Sequence, residues 1–236
     1  MEYATSGKLI IEFNGLPGSG KTTIAHQLKK ELEKQNCYVT SRFFRKKYHR
    51  FGNLIVFDPK YWSLISEIFR YAKLLTKRRL FDRITSMVCF LRMYKNFTVD
   101  FKNGVLVIDQ GYIQSFISLA HQNELPNKNL LIGVLKNSRL NQMPLVIVNC
   151  HISTAISNNR IMSRMANGCR VETMEEKERM ETLFVQEKNF TIIRDALADA
   201  CPGLVLVDIS TDEPVKDNVE KIMRTINNSK NNYNDF

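Results

Sequence analysis

Short apolar runs recur along the chain and alternate with longer stretches in which apolar positions repeat every three or four residues. The apolar runs predict five strands, at 8–14, 37–41, 104–109, 144–150 and 203–208. The stretches between them predict helices, at 21–35, 58–97, 112–121, 128–140, 153–166, 174–200 and 213–227. Continuous apolar strands that alternate with helices are typical of a parallel sheet covered on both faces. We therefore expect a three-layer α/β sandwich with a five-stranded parallel sheet.

The longest helical stretch lies between the second and third predicted strands. Residues 58–97 contain no glycine or proline after Pro59, and two helices with a break near 76–79 fit their pattern. With its flanks this stretch spans 42–102. It is the predicted helical insertion of the fold.

Length and cysteine content limit the class of protein. The 236 residues fit one domain, at roughly 100–200 residues per domain. We expect this domain over 1–227, followed by a polar, flexible tail over 228–236. No run reaches the roughly 18 apolar residues of a membrane-spanning helix. The five cysteines are odd in number and show no C-x-x-C spacing, which favours reduced thiols and a cytoplasmic location over disulfides or a zinc site.

Positive charge is concentrated in one part of the chain. The net charge is +10, while residues 41–102 alone carry 15 basic and 4 acidic side chains. Such an excess favours a polyanionic partner, which can be a phosphate, a nucleic acid or an acidic membrane surface. Solvated helix faces are the alternative interpretation.

A phosphate-binding motif follows the first predicted strand. Residues 15–22, GLPGSGKT, match G-x-x-x-x-G-K-[ST] between an apolar strand and a helix. In such a loop the backbone N–H groups turn toward a phosphate chain, and the helix N-terminus adds its positive dipole end. Lys21 can reach the β- and γ-phosphates, and Thr22 can ligate Mg²⁺. The expected nucleotide-binding residues are Gly15, Leu16, Pro17, Gly18, Ser19, Gly20, Lys21, Thr22 and Thr23.

An aspartate closes each of two later strands. Asp109 follows four apolar residues, which is the Walker-B pattern, and we expect it to hold Mg²⁺ together with Thr22. Asp208 ends the fifth strand in the same way, and a turn role is the favoured interpretation for it.

Arginines cluster after the fourth predicted strand. Arg160 and Arg164 lie four residues apart on the predicted helix 153–166, so they would share one face. Arg170 follows in a short loop. We expect this lid, about 160–175, to close over phosphates and to stabilise transition-state charge, with Arg160 and Arg164 joining Lys21 and Asp109 as catalytic residues. A surface helix with unpaired arginines is the alternative.

Three segments together resemble the P-loop nucleoside and nucleotide kinases, and most of all the thymidylate kinase group. They are FNGLPGSGKTT at 13–23, LVIDQGYIQSFISLAHQ at 106–122 and RIMSRMANGCRVE at 160–172. The resemblance extends from Gly15 to about Ile222 but leaves out 42–102. It implies a P-loop NTPase sandwich that uses ATP and Mg²⁺, and it leaves open a homodimer.

The chain departs from that family at two places. Gln110 stands where the family has the arginine that would touch the acceptor phosphate. After the second strand the family has Arg-Glu-Pro or a catalytic acid, whereas this chain has Arg42 and Arg45 and no acid nearby. Phosphorylation of an alcohol acceptor benefits from a carboxylate base, while cationic clamps suffice for a phosphate acceptor that is already anionic. We expect Arg42 and Arg45 to bind the acceptor, although Asp109 can act as a base if the acceptor is an alcohol.

These observations predict a Mg²⁺-dependent ATP:nucleotide phosphotransferase whose acceptor is a nucleoside monophosphate or a similar small anion. Two alternatives remain open. The basic residues of 41–102, with aromatic residues among them, also fit a nucleic-acid-associated P-loop ATPase or a polynucleotide kinase. Gln110 fits a catalytically degenerate nucleotide-binding module.

Overall fold

A computed structural model of the chain describes most of the predicted domain. The described residues are 8–35, 39–40, 59–75, 80–100, 103–120, 122–125, 128–164 and 171–229. The strands within them are β1 (Lys8–Gly15), β2 (Val39–Thr40), β3 (Gly104–Ile108), β4 (Leu145–His151) and β5 (Val205–Ser210). The α-helices are α1 (Lys21–Lys34), α2 (Trp62–Ala72), α3 (Leu80–Asp100), α4 (Tyr112–Ala120), α5 (Lys128–Asn137), α6 (Thr154–Met162), α7 (Glu176–Ala200) and α8 (Val215–Ser229). Short 3₁₀ turns lie at Pro59–Tyr61 and Leu140–Gln142.

The strands form one parallel sheet in the order β2-β3-β1-β4-β5. The first strand is central, and its residue Glu12 lies opposite Ile108 of β3 and Ile147 of β4. Parallel strands end at the same edge of a sheet, so the loops after β1, β3 and β4 meet there. The predicted α/β fold with a parallel sheet is confirmed.

Alternate side chains of the sheet build two separate cores. Ile10 of β1 packs on the face covered by α2, α3, α4, α5 and α7. Ile11 and Phe13 point to the other face, which α1 and α8 cover. All three side chains are completely buried. This alternation, with period two along the strand, gives the three layers.

The helical insertion packs on the larger face. Helices α2 and α3 follow β2 in the chain and precede β3, as predicted. Tyr94 and Phe97 of α3 are fully buried in the core of that face. The expected break near 76–79 lies outside the described residues.

The ends of α6 and β5 differ from the prediction. Helix α6 ends at Met162 rather than at residue 166, because the amide of Arg164 bonds to the carbonyl of Ile161 and tightens the last turn. Strand β5 runs to Ser210, so Asp208 lies inside the strand and pairs with Asn149 of β4. Helix α8 runs to Ser229, close to the end predicted for it at about residue 227.

Two further observations concern the length of the helices and the state of the cysteines. In the ranges that the structure describes, no helix combines the length and the apolar character needed to cross a membrane. Cys89, Cys150 and Cys201 are buried free thiols.

Candidate functional site

The loop between β1 and α1 turns on glycines. Gly18 and Gly20 have φ angles of 78° and 74°, which side-chain-bearing residues rarely adopt. Gly20 is the residue before α1, so this left-handed conformation leads the chain directly into the helix. A Cβ at Gly18 would also lie 2.8 Å from the carbonyl oxygen of Ser157 in α6. The sequence motif therefore folds into a tight loop pressed against α6.

Lys21 lies inside the curve of this loop. Its Nζ donates hydrogen bonds to the carbonyls of Gly15 and Leu16, at 2.8 and 2.6 Å, and to Oγ of Ser19 at 3.2 Å. The residue is 7% exposed. The loop thus holds a cation beside its own backbone amides, at the start of a helix, which is where an anion is favoured.

Thr22 and Asp109 lie side by side although Thr22 belongs to the first turn of α1 and Asp109 follows β3. Oγ1 of Thr22 donates to Oδ2 of Asp109 at 3.1 Å, because α1 begins next to the end of β3. A hydroxyl and a carboxylate oxygen are ligand types that Mg²⁺ accepts, and this ion usually takes one or two carboxylates plus phosphate oxygens. The two residues therefore fit the predicted Mg²⁺ site.

A cavity of about 370 Å³ opens above the loop. Its walls come from the loop, α4 and the two ends of the lid segment. The lining residues are Pro17, Gly18, Ser19, Gly20, Lys21, Thr22, Thr23, Gln110, Gln114, Ile117, Ser118, Arg164, Val171 and Gln186. Lys21 and Arg164 are the charged side chains in this set, and both are cationic. The cavity is suited to an anionic ligand.

The predicted lid arginines take different positions. Because α6 ends at Met162, Arg160 and Arg164 do not share one helix, and the predicted common face is wrong. Arg164 lines the cavity, whereas the guanidinium of Arg160 donates to the carbonyl and hydroxyl of Thr211 at 2.9 and 3.2 Å. Nη1 of Arg160 also lies 3.9 Å from where a Cβ at Gly20 would be. Arg160 therefore binds the turn after β5 and lies near Gly20, the residue before α1.

Two polar side chains that sequence reasoning missed brace the loop. Oε1 of Gln114 in α4 accepts a hydrogen bond from the amide of Gly15 at 2.9 Å. Oγ of Ser157 in α6 donates to the carbonyl of Pro17 at 2.6 Å. Gln114 lies in the segment 106–122 that carries the family resemblance, which is the one signal that pointed to it. Ser157 gave no such signal.

A polar row crosses the sheet next to the site. Nδ2 of Asn149 donates to Oδ1 of Asp208 at 3.1 Å, and Nε2 of His151 lies 3.0 Å from the same oxygen. Burial of the Asp208 carboxyl raises its pKa, but the hydrogen bonds from His151 and Asn149 outweigh burial and hold the pKa below its ordinary value. Asp208 thus joins β4 to β5.

A buried carboxyl group lies below the site. Glu12 of β1 is completely buried, and its nearest partners are Tyr94 and the first turn of α4. Burial raises the pKa of this carboxyl to about 7, although its hydrogen bonds lower it in part. Sequence reasoning did not single out Glu12.

Several predicted site residues cannot be placed. Arg42 and Arg45, the expected acceptor-binding residues, lie outside the described residues, and so does Arg170 of the lid. The described parts of the lid are 160–164 and the turn that begins at Val171.

No protein-family model and no curated protein matches the sequence. Solved structures do match its fold. A deoxyadenosine kinase from M. mycoides with the products dCMP and a flexible dCDP bound aligns with a TM-score of 0.52 at 13% identity, over 93% of this chain and 100% of that one. The same kinase with bound dATP gives 0.51 at 19% identity, over 93% and 99%.

A shikimate kinase from Acinetobacter baumannii in complex with shikimate also matches. Its TM-score is 0.50 at 16% identity, over 98% of this chain and 99% of that one. The fold therefore resembles that of these two kinases, over 93–98% of this chain. The predicted resemblance to P-loop nucleoside and nucleotide kinases is confirmed at the level of fold, and thymidylate kinase-like specificity stays a prediction.

Proposed function

We propose that this protein is a Mg²⁺-dependent phosphotransferase, thymidylate kinase-like, that moves the γ-phosphoryl group of ATP to a nucleoside monophosphate or a similar small anion. The observation that carries the proposal is the joint position of Lys21 inside the phosphate loop and of Thr22 against Asp109. In a P-loop kinase these are the groups that hold the donor phosphates and the metal.

The chain's own groups would act mainly by binding and orientation. The loop amides and Lys21 would bind the β- and γ-phosphates, and Arg164 would approach the same charges from the lid side of the cavity. Thr22 and Asp109 would hold Mg²⁺, which supplies charge neutralisation on the phosphate oxygens when bound. In the transfer, the bond from the γ-phosphorus to the bridging oxygen of ATP breaks and a bond to an acceptor oxygen forms.

The charges of the cavity support an anionic acceptor. Among the described residues that line it there are two cations and no carboxylate. An acceptor phosphate is already anionic at neutral pH and needs no base, so such a lining suffices for it. Arg42 and Arg45 stay our proposed acceptor contacts on the basis of the sequence.

Transfer to a hydroxyl group is the second candidate. The solved structures of similar fold carry the names of a deoxyadenosine kinase and a shikimate kinase, and both names denote hydroxyl-bearing substrates. In that reaction Asp109 would accept the proton of the hydroxyl group, in place of its bond from Thr22. Predictions of a nucleic-acid partner, a homodimer and a cytoplasmic location stay predictions.

The test is ADP release from ATP and Mg²⁺ with a panel of nucleoside monophosphates and nucleosides. The variants are Lys21→Ala and, as a matched control on the same helix, Lys34→Ala, whose exposed ammonium forms an i,i+3 ion pair with Glu31. We expect one monophosphate to stimulate turnover and Lys21→Ala to lower kcat by at least about a hundredfold. Lys34→Ala should stay within about twofold of the wild type, since exposed ion pairs contribute little.

Each contrary result has a distinct meaning. Full activity of Lys21→Ala would contradict the proposed site. Stimulation by a nucleoside and by no monophosphate would replace the proposed acceptor with the second candidate.

A further inference from the structure

Glu12 occupies a strand position where a carboxyl group is unexpected. It lies in the middle of β1, between Ile11 and Phe13, and no part of it is exposed. A buried carboxylate is unfavourable unless hydrogen-bond donors surround it. Apolar packing of the core therefore does not account for a carboxyl group at this position, and its hydrogen-bond donors must be identified.

Donors from two other elements surround this carboxyl group. Oε1 accepts hydrogen bonds from the amides of Ile113 and Gln114, at 2.7 and 3.1 Å. Oε2 accepts from the hydroxyl of Tyr94 in α3 at 2.7 Å, and that hydroxyl accepts from the amide of Tyr112 at 3.1 Å. The first amides of α4 thus find their acceptors on β1 and on the insertion rather than on a capping residue of their own.

The loop before α4 fits tightly over the same pair. A Cβ at Gly111 would lie 2.2 Å from the hydroxyl oxygen of Tyr94 and 2.6 Å from Cδ of Glu12. No side chain fits in such a space, so the backbone at Gly111 rests directly on the pair. Gln110 and Asp109 precede Gly111 by one and two residues, so this contact restrains the loop that carries Asp109.

The same turn of helix reaches the phosphate loop. Gln114, whose amide bonds to Glu12, accepts a hydrogen bond from the amide of Gly15 through its side chain. The Glu12 carboxyl group therefore lies against the loop that carries Asp109, and through Gln114 it is connected to Gly15, the first residue of the phosphate loop.

Building on the proposed function, we propose that Glu12 and Tyr94 are positioning residues of phosphoryl transfer: together they fix the loop that carries Asp109 and the helix turn that carries Gln114 against the phosphate loop. Neither residue lines the cavity. They act through Asp109 and Gln114, so that the insertion helix α3 takes part in aligning the reacting groups.

The test compares two buried tyrosines of the insertion that lose only their hydroxyl groups. Tyr94→Phe removes the bonds to Glu12 and to the amide of Tyr112. Tyr71→Phe is the control, because the hydroxyl of Tyr71 is equally buried but finds no hydrogen-bond partner among the described residues. Glu12→Gln, which keeps the shape and removes the charge, serves as a second variant if Tyr94→Phe folds poorly.

The measurements are kcat and KM for ATP, and hydrogen exchange of the Gly15 amide without nucleotide. We expect Tyr94→Phe to lower kcat by about tenfold or more while KM for ATP changes less than about threefold, because misalignment slows the chemical step more than it weakens binding. The Gly15 amide should exchange faster in Tyr94→Phe than in Tyr71→Phe, whose kcat should match the wild type.

The outcomes separate this inference from the proposed function. If the wild type turns over and both Tyr94→Phe and Glu12→Gln have the same kcat as the wild type, the proposed function stands and the positioning role is overturned. An equal loss of kcat in Tyr71→Phe and Tyr94→Phe would also overturn it, since it would reflect general loosening of the core. A wild type without turnover on any acceptor would overturn the proposed function, and the positioning role with it.

Discussion

Glu12 binds its proton more tightly in the folded chain than in the unfolded one. Burial raises the pKa of the carboxyl from its ordinary value of 4.5 to about 7, and the bonds from Tyr94 and α4 offset only part of that rise. The neighbouring titratable groups, Tyr94 and Tyr112, stay neutral near pH 7, because burial raises the pKa of each phenol. The stability that this proton contributes is present below pH 4.5 and is lost as the pH rises through 7.

Glu12→Gln should remove this pH dependence. Between pH 5 and pH 8 the wild type should lose roughly 2–3 kcal/mol more unfolding free energy than the variant, at about 1.4 kcal/mol for each unit of pKa difference. Urea denaturation at both pH values measures the difference. Glu33→Gln, at an exposed position on α1, is the control and should behave as the wild type does. Parallel pH dependence in Glu12→Gln and wild type would contradict the prediction.

The sequence revealed the residues of the site that act through a local motif. Lys21 and Thr22 stand at a fixed spacing between a strand and a helix, and Asp109 ends an apolar run. The position of each can therefore be predicted from the residues next to it in the chain. Glu12 was not predictable in this way. Its partners Tyr94 and Ile113 are 82 and 101 residues away in the chain. An acidic residue inside an apolar run does not by itself indicate which groups will surround it.

At the scale of elements, substitution by alanine should have opposite effects on stability at two glycines. Gly18 has a φ of 78°, and a Cβ there would meet the backbone oxygen of Ser157 at 2.8 Å. Gly133 lies in α5, and a Cβ there would meet nothing within 4 Å.

Gly18→Ala should therefore destabilise the fold by about 1–3 kcal/mol and push the loop away from α6, with a loss of nucleotide binding. Gly133→Ala should stabilise the fold by about 0.5–1 kcal/mol, because alanine is the better helix former. Thermal and urea unfolding of both variants, with nucleotide titrations, measure this. A Gly18→Ala variant that is as stable as wild type and binds ADP equally well would show that the loop is looser than its contacts indicate.

Element types followed from periodicity, and element ends did not. The sequence predicts that α6 continues to residue 166. It ends at Met162, where the amide of Arg164 bonds to the carbonyl of Ile161. Next to this end, Arg160 donates to the carbonyl of Thr211, a residue of the turn after β5. Such a contact joins two distant parts of the chain and leaves no trace in the local pattern.

At the scale of the whole molecule, a nucleotide that binds only the folded chain must stabilise it. With Mg²⁺ and ADP at a hundred times the dissociation constant, the gain is about 2.7 kcal/mol. For a chain of this size that corresponds to a rise in Tm of about 5–10 °C. Differential scanning fluorimetry with wild type, Lys21→Ala and Lys34→Ala measures it, and only Lys21→Ala should lose the shift. An equal shift in all three would place the nucleotide elsewhere.

The two halves of the proposed reaction were unequally predictable. The donor side rests on one continuous motif, and its groups lie together in the structure as its spacing implies. The acceptor side was assigned to Arg42 and Arg45 within a basic stretch that has no family motif. A charge excess attracts anions of every kind, so it cannot by itself specify which anion binds.

The central place of β1 also bears on how the chain is made. A ribosome releases β1 and the phosphate loop before β3 and β4, the strands that pair with β1 on either side. The bond between Asn14 and Asn149 spans 135 residues. Contacts so distant along the chain close slowly and late. During synthesis the apolar β1 must therefore wait, unpaired, until β3 has emerged, and its other edge stays open until β4 follows. In this interval a nascent chain of this protein is exposed to aggregation.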